Sequence, residues 1–192
     1  MPGSGKSTIA EKLSGALGMK RYYIGSMRRE MARRRGMTLE EFNKLGETDP
    51  STDKDVDDYQ IELSKSEDNI IIEGRTSFFL VPKSLKLFVD VDPNEGAARI
   101  LNELHDSSRA SSRNEAIPDT LEDMKLSLHE RLESDRKRYK KYYGIEDAYD
   151  KRHFDIIIDT TGRSPEESFK AALDAVSAYQ CERENPYSSE VG

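Results

Sequence analysis

A glycine-rich motif that opens a helix constrains this chain more than any other feature. It matches the second half of the phosphate-binding pattern G-x-x-x-x-G-K-[ST] and consists of Pro2, Gly3, Ser4, Gly5, Lys6, Ser7 and Thr8. Glycines let backbone N–H groups approach a polyphosphate, and the N-terminal end of the next helix attracts the same negative charge. In this pattern Lys6 reaches the β- and γ-phosphates, and the Ser7 hydroxyl binds Mg²⁺. The motif predicts a nucleotide-binding loop.

The first glycine of this pattern falls one residue before Met1, and the strand that feeds the loop falls before that glycine. A parallel sheet without that strand would contain a gap. We therefore expect the natural protein to have a strand of about five residues and a glycine ahead of Met1.

The composition describes one polar domain rather than a membrane or nucleic-acid-binding protein. The 192 residues are 35% hydrophobic and 35% charged, with a net charge of −7 and a mean hydropathy of −0.80. The negative charge argues against general nucleic-acid binding. No apolar run reaches membrane-spanning length, no signal peptide is evident, and the single cysteine, Cys181, excludes an internal disulfide. We expect a cytoplasmic protein without membrane or nucleic-acid partners.

Periodicity along the chain alternates between helix and strand, which predicts an α/β fold with a parallel sheet. Continuous apolar runs predict buried strands at 69–73, 85–91 and 154–159, and an aromatic run predicts another at 19–24. Helical spacing predicts helices over 8–17 and 121–143. Further helices are predicted to begin at Gly25, with Ser26 as N-cap, at Pro93 and at Ser164.

Three segments depart from this alternation within a single domain at 1–180. Residues 26–66 contain successive short helices without a strand and predict a helical insert. Residues 105–120 are polar and serine-rich, which favours a mobile lid. Residues 181–192 have no apolar periodicity and predict a disordered tail.

Charged residues follow the ends of predicted strands, where open α/β sheets bind ligands. Arg29 lies one turn into the helix after the first strand, and Gly74 and Arg75 follow the strand that ends at Glu73. A local Glu73–Arg75 ion pair that caps the strand is the alternative.

Three charged residues share one face of the long predicted helix at 121–143, because Arg131, Asp135 and Arg138 are spaced at i, i+4 and i+7. An exposed ion-paired helix is the alternative.

Taken in order, these motifs resemble the cytidylate kinases, in particular the short archaeal type within the nucleoside monophosphate kinases. The resemblance rests on the glycine-rich loop, the Gly25…Arg29 turn, Glu73-Gly74-Arg75 and Arg131-x-x-x-Asp135-x-x-Arg138. Further similarity lies in 35–43 and 138–145, and the resemblance covers about residues 2–178. It implies a three-layer P-loop kinase fold in which the helical insert binds the monophosphate.

The resemblance also implies the transfer of the γ-phosphate of ATP to CMP or dCMP with Mg²⁺, and roles for individual residues. The loop and Lys6 hold ATP, with Thr161 in the loop that borders its adenine. Ser26, Arg29, Gly74 and Arg75 hold the acceptor. Arg131 and Arg138 close over the transferring phosphoryl group with Asp135 orienting one of them, and Arg109 and Arg113 add lid contacts.

Selection of the acceptor base and the oligomeric state are less constrained by the sequence. Asp57 and Gln60 are candidates to recognise cytosine, with exposed surface residues as the alternative. A kinase for UMP, AMP or another small acceptor, and a non-catalytic nucleotide-binding protein, are the competing functions. We expect a monomer.

Overall fold

The computed structural model describes residues 1–105 and 118–184. The segment 106–117, which makes up most of the predicted lid and includes Arg109 and Arg113, lies outside the described residues. The same holds for 185–192 of the predicted tail.

The described elements alternate between helix and strand, as the periodicity predicts. The helices are α1 Lys6–Leu17, α2 Ile24–Arg34, α3 Leu39–Gly46, α4 Ser51–Ser66, α5 Ser77–Leu80, α6 Pro93–His105, α7 Leu121–Tyr143 and α8 Pro165–Glu184. The strands are β1 Lys20–Tyr23, β2 Ile70–Glu73, β3 Leu87–Asp90 and β4 Ile156–Asp159. A 3₁₀ turn, Lys151–His153, precedes β4.

The strands form two parallel pairs, β1 with β2 and β3 with β4. In the first pair Tyr23 aligns with Glu73, and in the second Asp90 aligns with Asp159. In each pair, therefore, the C-terminal ends of both strands carry polar residues at the same edge of the sheet, which is where α/β folds bind ligands. The predicted α/β class with parallel strands is confirmed.

The main core lies between the strands and the helices α1 and α8. Its buried members are Ile9, Leu13, Val89, Ile158 and Ala172. They come together because α1 presents residues four apart on one face while β3 and β4 present alternate residues to it. This packing fixes the start of α1, and with it the glycine-rich loop, relative to the sheet.

A second core joins α6 to α7 through buried residues on one stripe of each helix: Ala97, Ile100, Leu104, Met124 and Leu128. The predicted helical insert is the run α2–α3–α4, in which no strand intervenes. A capping box at Thr38, whose hydroxyl accepts from the Glu41 amide, starts α3.

Two local predictions are wrong. Helix α2 begins at Ile24 with Tyr23 as its N-cap, and Ser26, already inside the first turn, donates its hydroxyl to the Tyr23 carbonyl at 2.7 Å. Helix α8 continues through 181–184, into the predicted tail. Three of these four residues are Glu182, Arg183 and Glu184, and Glu and Arg are strong helix formers, so intrinsic propensity extends the helix beyond its apolar face. Within the described ranges, none of the helices combines the length and apolar character needed to cross a membrane.

Candidate active site

The glycine-rich loop adopts a conformation that requires its glycines. Gly3 and Gly5 have φ of 71° and 74°, in the left-handed region, and α1 starts directly after Gly5. A Cβ on Gly3 would lie 2.2 Å from the carbonyl oxygen of Gly96 in α6, and a Cβ on Gly96 would lie 2.7 Å from the Pro2 carbonyl. The loop therefore packs backbone to backbone against the first turns of α6.

The other side of the loop contacts the turn after β4. The Thr160 hydroxyl donates to the Ser4 carbonyl at 3.1 Å, and Ser4 is buried. Arg99 of α6 donates to the Thr160 carbonyl at 2.8 Å and to the Gly3 carbonyl at 3.4 Å. Sequence reasoning assigned no site role to Thr160 or Arg99. Thr160 directly follows β4, which was the signal available, whereas Arg99 lies in the second turn of α6.

The structure gives Thr161 different contacts from Thr160. Its hydroxyl donates to Asp159 at 2.6 Å and accepts from the Asp92 amide at 2.8 Å, and the residue is exposed. It thus ties the β3 and β4 turns together, and its predicted role at the adenine stays a prediction.

A buried carboxylate at the end of β2 links the motif residues. Glu73 accepts from Lys6 Nζ at 3.2 Å, from Ser7 Oγ at 2.6 Å and from Arg21 Nη2 at 2.6 Å. Burial alone would raise the pKa of Glu73, but Lys6, Ser7 and Arg21 hold its pKa below the usual value. Glu73 is therefore an anionic group directly beside Lys6 and Ser7, and it was quoted in a motif without being predicted as a site residue.

One cleft of about 1000 Å³ brings most predicted site residues together. Its lining includes the whole glycine-rich loop, most residues predicted to bind the acceptor, and two arginines of α7: Pro2, Gly3, Ser4, Gly5, Lys6, Ser7, Thr8, Ser26, Arg29, Asp57, Gly74, Arg75, Arg131 and Arg138. Thr161, Gln60 and Asp135 are outside this lining. The loop end and the arginine end therefore face a single space large enough for two nucleotides to be adjacent.

Asp135 joins arginines from two parts of the chain. It is fully buried, and it accepts from Arg75 in an ion pair, from Arg138 Nη2 at 2.5 Å and from the Tyr149 hydroxyl at 3.0 Å. Burial would raise the pKa of Asp135, but Arg75, Arg138 and Arg131 keep its pKa below the usual value. Arg75 thus has a partner, Asp135, that lies 60 positions away in the sequence.

Arg138 is a buried link between α7 and the helical insert. Its Nη1 donates to both carboxylate oxygens of Asp53, at 2.6 and 2.7 Å, and only 1% of the residue is exposed. Arg28 of α2 also forms an ion pair with Asp53 and donates to Asn43 at 2.8 Å. Sequence reasoning missed Asp53 and Arg28, because Asp53 pairs with Arg28 across 25 positions of the chain and with Arg138 across 85.

The two candidates for base recognition differ in accessibility. Asp57 lines the cleft, accepts from the Tyr143 hydroxyl, and accepts from Thr76 at 3.4 Å. Burial raises the pKa of Asp57 to about 6. Gln60 is fully buried, and its Oε1 accepts from Ser77 at 2.6 Å, so the alternative of an exposed surface residue is wrong for both.

A parallel α/β fold, a helix-opening phosphate loop and an arginine-lined cleft define a P-loop phosphotransferase. The family model described as an AAA domain matches residues 1–118. Curated cytidylate kinases match over most of their length: that of Pyrococcus furiosus is 40% identical, covering 91% of this chain and 85% of its own. Those of Thermococcus kodakarensis and Methanopyrus kandleri are 36% and 35% identical, covering 100% and 97% of this chain and 94% of each relative. The chain belongs to the cytidylate kinase family.

Proposed function

We propose that this protein transfers the γ-phosphate of ATP to CMP or dCMP, producing ADP and CDP or dCDP. The observation that supports this most directly is that the loop with Lys6 and the arginines Arg29 and Arg75 line the same cleft. Phosphoryl transfer depends on positioning and charge neutralisation more than on covalent chemistry, so a cleft with cationic groups at both ends suits it.

The donor end binds the triphosphate of ATP. Backbone N–H groups of the loop and the start of α1 face the phosphates, and Lys6 neutralises the charge between the β- and γ-phosphates. The guanidinium of Arg99 supports the loop from behind through the Gly3 carbonyl.

The residues beside Lys6 fit a magnesium ion. Mg²⁺ prefers oxygen ligands and is usually bound by one or two protein groups together with substrate phosphates. Ser7 Oγ and Glu73 Oε1 lie 2.6 Å apart, and the Glu73 carboxylate is held ionised. We propose that Ser7 and Glu73 hold the ion, which supplies charge neutralisation on the transferring phosphoryl group.

The acceptor end binds the monophosphate. Arg29 and Arg75 offer planar guanidinium groups, which can grip a phosphate dianion in two places, and Ser26 and Gly74 lie beside them. Arg131 lines the same cleft, and in this proposal it acts on the transferring group. The Asp57 carboxylate is suited to accept from the exocyclic amine of cytosine, a donor that uracil lacks.

The test is a panel of acceptors, each mixed with ATP and Mg²⁺ and followed by ADP release: CMP, dCMP, UMP, AMP and GMP. We expect the highest kcat/KM for CMP or dCMP. A preference for UMP or AMP would assign a sister kinase, and no turnover on any acceptor would favour a non-catalytic nucleotide-binding protein. Three expectations stay predictions: the monomeric state, the cytoplasmic location, and the role of residues 105–120 as a lid.

A further inference from the structure

Tyr23 lies where the two ends of the cleft meet, and none of the roles assigned above uses it. It is the last residue of β1 and aligns with Glu73 across the parallel pair. It lines the cleft together with Lys6 and Arg29. Its phenol is therefore near both the lysine of the donor site and the arginine of the acceptor site.

The Tyr23 side chain contacts Arg29 in two ways. Arg29 Nη1 donates to the Tyr23 hydroxyl, and the guanidinium carbon of Arg29 lies 5.6 Å from the centre of the Tyr23 ring. Arg29 is only 9% exposed, so its orientation depends on the protein groups around it. A hydrogen bond and a cation–π contact from the same side chain fix both the position and the tilt of a planar guanidinium.

Gly25 makes this arrangement possible. A Cβ on Gly25 would lie 2.7 Å from Cε2 of the Tyr23 ring. The ring therefore lies across the first turn of α2, at a place where any side chain would displace it. Helix α2 itself carries Arg29 at the next turn.

The Tyr23 phenol and the charged groups around it also interact electrostatically. Burial would raise the pKa of Tyr23, but Arg29 and Lys6 lower its pKa below the usual value of 10.0. The hydroxyl contact to Arg29 differs from the carboxylate of Asp135, which holds Arg75 as an ion pair.

We propose that Tyr23 is a positioning residue that holds the Arg29 guanidinium in the orientation that binds the acceptor's phosphate. The proposal rests on the proposed function, because it needs Arg29 to bind a monophosphate. It assigns no contact between Tyr23 and ATP.

The experiment compares Tyr23→Phe with Tyr22→Phe. Both variants lose one phenol hydroxyl from adjacent residues of β1, but the Tyr22 hydroxyl donates to Glu67, and Tyr22 does not line the cleft. For Tyr23→Phe we expect the KM for CMP to rise about 10- to 100-fold, as for loss of a hydrogen bond to a charged group, with the KM for ATP within about 2-fold. Tyr22→Phe should leave both KM values unchanged.

A double-mutant cycle with Arg29→Ala separates positioning from a general structural effect. In the Arg29→Ala background, Tyr23→Phe should raise the KM for CMP no further. An unchanged KM for CMP in Tyr23→Phe, an equal rise in the KM for ATP, or full additivity with Arg29→Ala would each overturn the inference. Absence of wild-type turnover on every monophosphate would instead refute the proposed function.

Discussion

Replacement of Arg138 by alanine should destabilise the protein as well as reduce its turnover. Arg138 is 1% exposed, and it donates to Asp53 at 2.6 and 2.7 Å and to Asp135 at 2.5 Å. Removing one partner of a buried ion pair costs about 3–5 kcal/mol, because the remaining charge stays buried.

The surroundings place the cost at the lower end of that range. After the substitution, Asp53 still pairs with Arg28, and Asp135 still accepts from Arg75 and Tyr149. We therefore expect a loss of about 3 kcal/mol in the free energy of unfolding. For a domain of this size that corresponds to a fall of about 6–12 °C in Tm.

Thermal and urea unfolding of Arg138→Ala and Lys137→Ala measure this effect. Lys137 is the preceding residue of α7, its side chain is 65% exposed, and its Nζ lies 3.7 Å from Glu47, so its loss should change the free energy of unfolding by less than about 0.5 kcal/mol. A Tm for Arg138→Ala within about 2 °C of wild type would refute the reasoning. In that case the guanidinium would not be the link between α7 and the insert that its contacts indicate.

Three further substitutions test other parts of the site. Lys6→Ala should reduce kcat at least about 100-fold. It should change the free energy of unfolding by less than about 1 kcal/mol, because the Lys6 side chain in the ion pair with Glu73 is 41% exposed. Retained turnover would contradict the assigned donor site. Gly3→Ala should lower Tm more than Gly5→Ala. Both glycines have a positive φ, but only a Cβ on Gly3 would clash with α6. Equal decreases in Tm would contradict that contact. Asp57→Asn tests the buried carboxyl. The pKa of Asp57 is about 6 in the folded state and exceeds the usual value of 3.8. The folded state therefore binds the proton more tightly, and the free energy of unfolding of the wild type should fall as the pH rises between those values. Between pH 4 and pH 7, the free energy of unfolding of Asp57→Asn, measured with urea, should rise by about 2 kcal/mol relative to that of the wild type. A difference between the two proteins that does not change with pH would contradict the raised pKa.

The parts of the fold that depend on neighbouring residues were predictable from the sequence. The ends of α1 and α7 follow from Gly18 and Gly144, which adopt the left-handed conformation that stops a helix. The start of α8 follows from Ser164, whose hydroxyl accepts from the Glu167 amide. Strands β2 and β4 follow from runs of isoleucine, which are typical of parallel strands. The prediction that the strand at 154–159 is buried is wrong at Ile157, which is 44% exposed.

Contacts between distant positions were not predictable in this way. Periodicity puts Arg138 on the same face as Arg131, but it contains no information on Asp53, which lies 85 positions away. Likewise, the chain gives no local reason to prefer Thr160 over Thr161 at the loop, since the choice depends on which hydroxyl faces Ser4 after folding. The burial of Gln60 depends on how closely α4 approaches Gly74, which is again a property of the tertiary structure.

The ion pairs that Asp53 and Asp135 make have a consequence for how the acceptor end of the molecule opens. Arg28 of α2, Asp53 of α4, and Arg138 and Asp135 of α7 form one chain of buried charges. Separation of any one of these helices from the others would break at least one of these ion pairs, which is costly in the protein interior. The three helices should therefore form one cooperative unit, in which backbone amides lose hydrogen-exchange protection together. The helices around the pocket for the monophosphate would then move together as a rigid body when the pocket opens and closes.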